Sequence, residues 1–331
     1  MFSPLIVPQE YPGAHIVIKK CPNVSTKHLH LPFIYSKIKK SLIALVRGRV
    51  LRKIKADEIT KIVKNLCMET NYYLPEDILD HLKKGLEKET SPLGKKTIEI
   101  MLKNAEIAAR EKIPLCQDTG IVVVFVEVGQ EVVIVNGDLE KAINEGVRQG
   151  YMEGYLRKSV VSDPLFERKN TNNNTPPVIY TRIVSGNRLK ITLLPKGAGS
   201  ENMSKIAMLK PSDGIKGVKE FIIQTVKEAG PNPCPPVIVG VGIGGSFEKC
   251  AFLAKKALLR KIGEHNTDER YARLERELIK EINNLGIGPQ GFGGKITALA
   301  VNIEYFPCHI ASLPVAVNLQ CWVSRHKQIE I

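Results

Sequence analysis

The chain has 331 residues, 43% of them hydrophobic, enough to bury a large core in one or two domains. No apolar run approaches the about 20 residues of a membrane-crossing helix. The best early stretch, Ser41 to Val46, stops at Arg47. The N-terminus shows no ordered basic, apolar and small-residue regions of a secretory signal, so a cytoplasmic, non-membrane protein with reduced thiols is expected.

The net charge of +14 would point to nucleic acid if it were evenly spread. It is not: residues 1–55 hold eleven basic side chains against the single acid Glu10. Residues 1–53, aperiodic and carrying Pro4, Pro8, Pro12, Pro22 and Pro32, read as a basic extension outside a domain spanning 54–331. A loosely ordered tail is the plainer expectation for it, and an arm for nucleic acid or another acidic partner the less favoured one.

From Ala56 the pattern is helical, with Ile59, Ile62, Val63, Leu66 and Cys67 on one face. A second helix opens at Leu74-Pro75-Glu76-Asp77 and a third after Ser91-Pro92, where proline and acids suit a first turn. The period then changes. Ile121 to Val128 and Glu131 to Val135 are β-rich runs around Gly129-Gln130, and predict a hairpin or adjacent strands. A helix over about 138–153 leads to a polar loop at Asn170 to Asn174. Val178 to Val184 and Arg188 to Leu194 flank Ser185-Gly186-Asn187, which predicts a hairpin. A helix (about 217–229), a short strand (237–240), a helix (about 246–260) and a long charged helix (about 267–284) follow. Strands at 296–305 and 315–319 close a mixed α/β (α+β) domain, helix-rich around mixed sheets.

Seven cysteines without a C-x-x-C pair argue against a disulfide framework and a finger-type zinc site. Cys116-Gln117-Asp118-Thr119-Gly120 lies in a helix-to-strand turn. There a soft metal ligand, an amide and a carboxylate stand in succession, although taken alone a buried thiol beside an ordinary turn is the favoured explanation. Cys234 sits between prolines at a strand's leading end, a stiff mount for a ligand or a plain loop. Gly240-Val-Gly242-Ile-Gly244-Gly245 is close to a dinucleotide fingerprint, but the region where an acidic ribose ligand belongs, Lys261 to Arg270, is charged and not strand-like. Gly288 to Lys295 fails the phosphate-loop pattern, since Pro289 occupies the first glycine position and Ile296 follows the lysine. Cys308-His309 and Cys321 bracket the last strand.

Together these segments resemble the cluster-binding domain of class I fumarases and the α subunit of L(+)-tartrate dehydratases. The resemblance is carried by Pro114-Leu-Cys116-Gln-Asp-Thr-Gly120, Gly154-Tyr-Leu-Arg157-x-Ser159 with Asp163-Pro164, and Lys196-Gly-Ala-Gly199-Ser. It continues through Cys234-Pro-Pro236 with Gly244-Gly245, Gln290-Gly-Phe-Gly-Gly294-Lys295, and His309 ahead of Cys321. They stand in the family's order over roughly residues 54–325.

The resemblance implies a 4Fe-4S cluster held by Cys116, Cys234 and Cys321 only, leaving one iron open as a Lewis acid. Cys308 falls on the wrong side of His309 to match, and burial is the expectation for Cys67 and Cys250. It further implies Asp118 as an acid-base group and Gln117, Arg157, Gly199 and His309 as substrate contacts. The expected reaction is hydration of fumarate to malate, with tartrate dehydration as the alternative. Family members built as one chain continue into a second domain carrying the catalytic base. This chain stops soon after Cys321, so a separate β subunit in an α2β2 assembly is expected.

Overall fold

The computed structural model describes residues 51–331. Cys21 and all of the basic extension before Leu51 lie outside the described residues. In chain order the elements are β1 (Arg52–Lys55), α1 (Ala56–Tyr72), α2 (Glu76–Lys88), α3 (Pro92–Glu111), β2 (Ile121–Gly129), β3 (Val132–Val135) and α4 (Leu139–Glu153). Next come β4 (Val178–Val184), β5 (Leu189–Lys196), α5 (Ala198–Glu201), β6 (Lys205–Leu209), α6 (Gly214–Ala229) and β7 (Val237–Gly244). The last are α7 (Phe247–Ala257), α8 (Glu269–Asn283), β8 (Ala298–Phe306), β9 (Leu313–Gln320) and β10 (Lys327–Glu330). The class is the mixed α+β one that the alternating periods predict.

Local chemistry accounts for the long helices. Ser91 caps α3 by accepting from the Gly94 N–H, with Pro92 in the first turn, and Asp138 caps α4 by accepting from Lys141. The apolar stripe predicted for α1 is buried at Ile59, Val63, Leu66 and Cys67, facing Ile143, Val147 and Tyr151 of α4 and the face of β2 and β5. Each such buried aliphatic side chain contributes about 1.5–3 kcal/mol before the entropy of ordering it is subtracted.

Two four-stranded sheets carry the rest. The first has the order β10-β5-β2-β4 and the second β6-β9-β7-β8, while β1 and β3 form a small parallel pair. Both predicted hairpins fail. β3 pairs with β1 and not with β2. β4 and β5 do not pair with each other, because β2 lies between them, parallel to β4 and antiparallel to β5. The Ser185-Gly186-Asn187 turn therefore passes over the end of β2. Gly129 is what lets it pass, since a Cβ there would stand 2.3 Å from the Gly186 carbonyl oxygen. The strand expected to end at Gly240 continues, fully buried, to Gly244, and β6 and β10 are strands that periodicity did not reveal.

Gly240 and Gly242 lie inside that strand, against α7. A Cβ would come 2.2 Å from the Ala254 carbonyl oxygen at Gly240, and 2.0 Å from that of Cys250 at Gly242. These glycines serve close helix-to-strand packing, and the fingerprint-like spacing is a by-product of it. Gly288 to Lys295 also has an internal use. The Glu89 carboxylate, 1% exposed, accepts from the backbone N–H groups of Thr90 (2.7 Å), Ser91 (2.9 Å), Lys295 (2.9 Å) and Ile296 (2.9 Å). The turn does bind an anion, and the anion is the protein's own. Burial alone would raise the Glu89 pKa, but these four donors outweigh it and hold the group below its ordinary value.

Candidate active site

Cys116 is presented by the turn between α3 and β2, which is fastened on both sides of Leu115. The Leu115 N–H donates to the Asn71 carbonyl (2.8 Å), and its carbonyl accepts from Asn104 (2.9 Å). The Cys116 sulfur accepts from the Asp118 N–H (3.4 Å) and faces the Gln117 side-chain oxygen (3.4 Å). Each Asp118 oxygen holds a backbone amide, Gly120 at 3.0 Å and Ala198 at 2.8 Å. Every carboxylate oxygen has two lone pairs, so both retain one.

Arg157 is brought to this turn by four hydrogen bonds. Thr119 Oγ1 donates to the Arg157 carbonyl (2.8 Å), and Tyr151 OH donates to the Thr119 carbonyl (2.6 Å). Fully buried Asn174 joins the Gly120 carbonyl (3.1 Å) to the Ser159 N–H (2.8 Å). The Arg157 side chain is exposed, and no carboxylate pairs with it among the described residues.

Cys234 occupies a left-handed backbone position, φ 55°, uncommon for a non-glycine residue and held here by its surroundings. Its N–H donates to the Pro231 carbonyl (3.0 Å), and its carbonyl accepts from the Trp322 N–H (3.3 Å). Gln290 donates to the Pro235 carbonyl through both backbone (2.7 Å) and side chain (3.2 Å). The Trp322 bond sets Cys234 beside Cys321, which follows β9. Gly199 is exposed on the same side, where an added Cβ would lie 3.7 Å from the Asn232 carbonyl oxygen.

Cys116 is close enough to act on both other thiols. Burial, then the charge of Cys116, pushes the Cys234 thiol above its ordinary value. Cys321 is raised by burial, with Arg325 and Lys196 opposing and Cys116 adding to the rise. Among the described residues, no three His, Cys, Asp or Glu side chains converge closely enough to hold a single metal ion. The geometry is therefore that of three thiols sharing one electrostatic neighbourhood without closing on one atom.

Two buried cations flank Cys321, and sequence reasoning named neither as a site residue. Lys196, 1% exposed, donates to Ser200 Oγ (2.8 Å) and sits 3.3 Å from Glu201. Burial pulls its pKa down to about 8, against the opposing pull of Glu201. Glu201 is itself held by Lys255 and Asn318. Arg325, 3% exposed, donates from Nη2 to the Asp118 carbonyl (2.5 Å), while its buried Nε and Nη1 have no hydrogen-bond partner. A lysine closing an apolar strand was a readable signal for Lys196. Nothing local marks Arg325.

His309 stands apart from the other expected contacts. It lies with Cys308 in the exposed β8–β9 loop, while Cys234 precedes β7 and Cys321 follows β9. β7 and β8 are parallel and β9 is antiparallel to both, so this loop and the two cysteines are at opposite ends of the sheet. The separation is the length of a strand, about 25 Å at the usual rise per residue. Cys67 and Cys250 are fully buried, as expected. A cavity of about 1400 Å³, lined by Phe125, Tyr180, Phe252 and Lys249 among others, contains none of Cys116, Cys234 and Cys321.

What the fold and site define is an α+β protein with three thiols, an adjacent carboxylate and fixed cations at the meeting ends of two sheets. The fumarate hydratase (Fumerase) family model matches residues 60–330, and the chain belongs to that family of hydro-lyases. It is 46% identical over 274 residues to a Methanocaldococcus jannaschii protein named "Putative L(+)-tartrate dehydratase subunit alpha", covering 81% of this chain and 95% of that one. It is 34% identical over 277 residues to the L(+)-tartrate dehydratase subunit alpha of Escherichia coli strain UTI89, covering 83% and 91%. The subunit of that name from Shigella boydii is 34% identical over 271 residues, covering 81% and 89%. No helix among the described residues is long and apolar enough to cross a membrane.

Proposed function

We propose that the chain is the cluster-binding α subunit of a two-subunit 4Fe-4S hydro-lyase acting on a hydroxy-dicarboxylate, with tartrate ahead of malate. The observation that carries it is that the Trp322–Cys234 backbone bond sets Cys234 beside Cys321, with Cys116 in electrostatic reach of both. Cys234 and Cys321 are raised by burial and by the neighbouring Cys116, so a bound cationic group favours their thiolate forms, and an all-sulfur donor set is soft. The names of the relatives favour tartrate, reversing the order of substrates expected from sequence.

The chemistry supplied by such a cluster, when bound, is Lewis-acid polarisation of the departing hydroxyl at the iron that three thiolates leave open. The chain's own residues bind and orient. Arg157 offers an unpaired, exposed fork for bidentate recognition of one carboxylate. Gln117 supplies an exposed amide beside Cys116, and Gly199 leaves room for substrate near Asn232. Asp118, fixed by two amides, keeps a free lone pair on each oxygen with which to take up or pass on a proton. The base for the neighbouring carbon belongs to the β subunit. Exposed Tyr155, Leu165 and Phe166, on the segments flanking Arg157 in sequence, give that subunit apolar surface to cover.

His309 contacts substrate only from a second α chain, because its own cysteines are a strand's length away. An α2β2 assembly supplies that second chain. Co-assembling Cys116→Ser and His309→Asn variants should restore a fraction of activity, and no recovery sinks this part.

Anaerobic reconstitution of the full chain should yield about four irons per chain, the stoichiometry of a 4Fe-4S cluster. Each of Cys116→Ser, Cys234→Ser and Cys321→Ser should lose the cluster. Paired with its β subunit, wild type should turn over tartrate faster than malate. Retention of full iron in all three variants would overturn the reading.

A further inference from the structure

We propose that Arg325 is a positioning residue for the cluster, its Nε–H and Nη1–H groups donating to the bridging sulfides or to the Cys321 thiolate. This rests on the cluster reading above. Arg325 is almost completely buried, yet two of its three guanidinium nitrogens have no hydrogen-bond partner and no carboxylate pairs with it among the described residues. A buried guanidinium is costly unless its donors are met. The third nitrogen is spent on the carbonyl of Asp118, two residues after Cys116, and the arginine's charge acts on Cys321. The guanidinium is thus bonded to the turn that carries Cys116 and is within electrostatic reach of Cys321, with unused donors.

Sulfides and thiolates of a cluster are acceptors, and hydrogen bonds to them raise the reduction potential and slow oxidative loss. Lys196 does not duplicate this role. Its ammonium is already engaged by Ser200 and Glu201. The rigid fork of Arg325 also reaches two acceptors in fixed directions, which an ammonium does not.

The test uses the full-length chain carrying guanidino-¹⁵N arginine, reconstituted anaerobically with iron and sulfide, then reduced and examined by pulsed EPR. A ¹⁵N hyperfine coupling to the cluster is expected in wild type and should vanish in Arg325→Lys. The Arg325→Lys and Arg325→Met variants should also show a lower midpoint potential and lose cluster absorbance in air about 10–100-fold faster, the range typical of outer-shell partners. A loaded wild-type cluster without coupling overturns the inference while leaving the cluster reading intact. A wild type that binds no cluster overturns both. If the variants raise KM for the dicarboxylate but leave spectrum and potential unchanged, the donors serve substrate and the inference is wrong. The wild-type coupling decides the matter even where Arg325→Met fails to fold.

Discussion

Glu89 and Arg325 are both buried charges that reach a segment remote in sequence, and they are satisfied in opposite ways. The Glu89 carboxylate meets four backbone N–H groups and fastens the end of α2 to the turn before β8. Arg325 meets one carbonyl and leaves two donors idle. A closed set of bonds is what a purely structural charge looks like, whereas an open set implies an acceptor that binds later. The difference separates the part of the molecule that holds the fold from the part that holds the chemistry.

The largest expected effect falls on the open side. Cys321→Ser should remove iron and reduce activity of the reconstituted pair to background, whereas Cys308→Ser, at the far end of the sheet, should keep both. Iron analysis beside a tartrate assay checks this, and the reverse pattern breaks the comparison. Arg325→Met should cost about 10–100-fold in activity or cluster retention. Its apo chain should stay within about 1 kcal/mol of wild type in urea unfolding, since deleting an unsatisfied buried cation offsets the lost carbonyl bond.

On the closed side the expectation inverts. Glu89→Ala leaves four backbone donors, one of them on a buried residue, without their acceptor and should destabilise by about 3–5 kcal/mol, with specific activity of the folded fraction unchanged. The smallest effect is in pH. Glu89 is held below its ordinary value of 4.5, so its contribution is complete above pH 4.5 and is lost as pH falls through the lowered value. Urea midpoints of Glu89→Gln should therefore fall less steeply than those of wild type below pH 4.5. Parallel curves would mean that the carboxylate charge is not what the four amides hold.

Helices were the readable part of this fold, because a 3.6-residue stripe is itself the record of a buried face, as at Ile59, Val63 and Leu66. Strand partners were not. Ser185-Gly186-Asn187 has the chemistry of a tight turn, but turn chemistry says nothing of a third strand inserted from elsewhere. At the site, the ordered motifs singled out Cys116, Cys234 and Cys321, and the fold brings these to one edge with Asp118 and Arg157. Arg325 was illegible because its mark is an unmet donor, which exists only in three dimensions. Glu89 was illegible for a related reason, since a glutamate at a helix end reads as solvated until the chain's return over Lys295 and Ile296 buries it.

The insertion of β2 between β4 and β5 also bears on how the chain reaches this state. Those two strands are near neighbours in sequence, and closing their short loop is the fastest antiparallel encounter open to them. That encounter is non-native, for it excludes the strand both must flank. The native pairing instead has β2, packed on α1 and α4, offering one edge to each of β4 and β5. Gly129, by letting the connection cross directly overhead, removes the obstacle that would otherwise leave the premature hairpin the easier outcome.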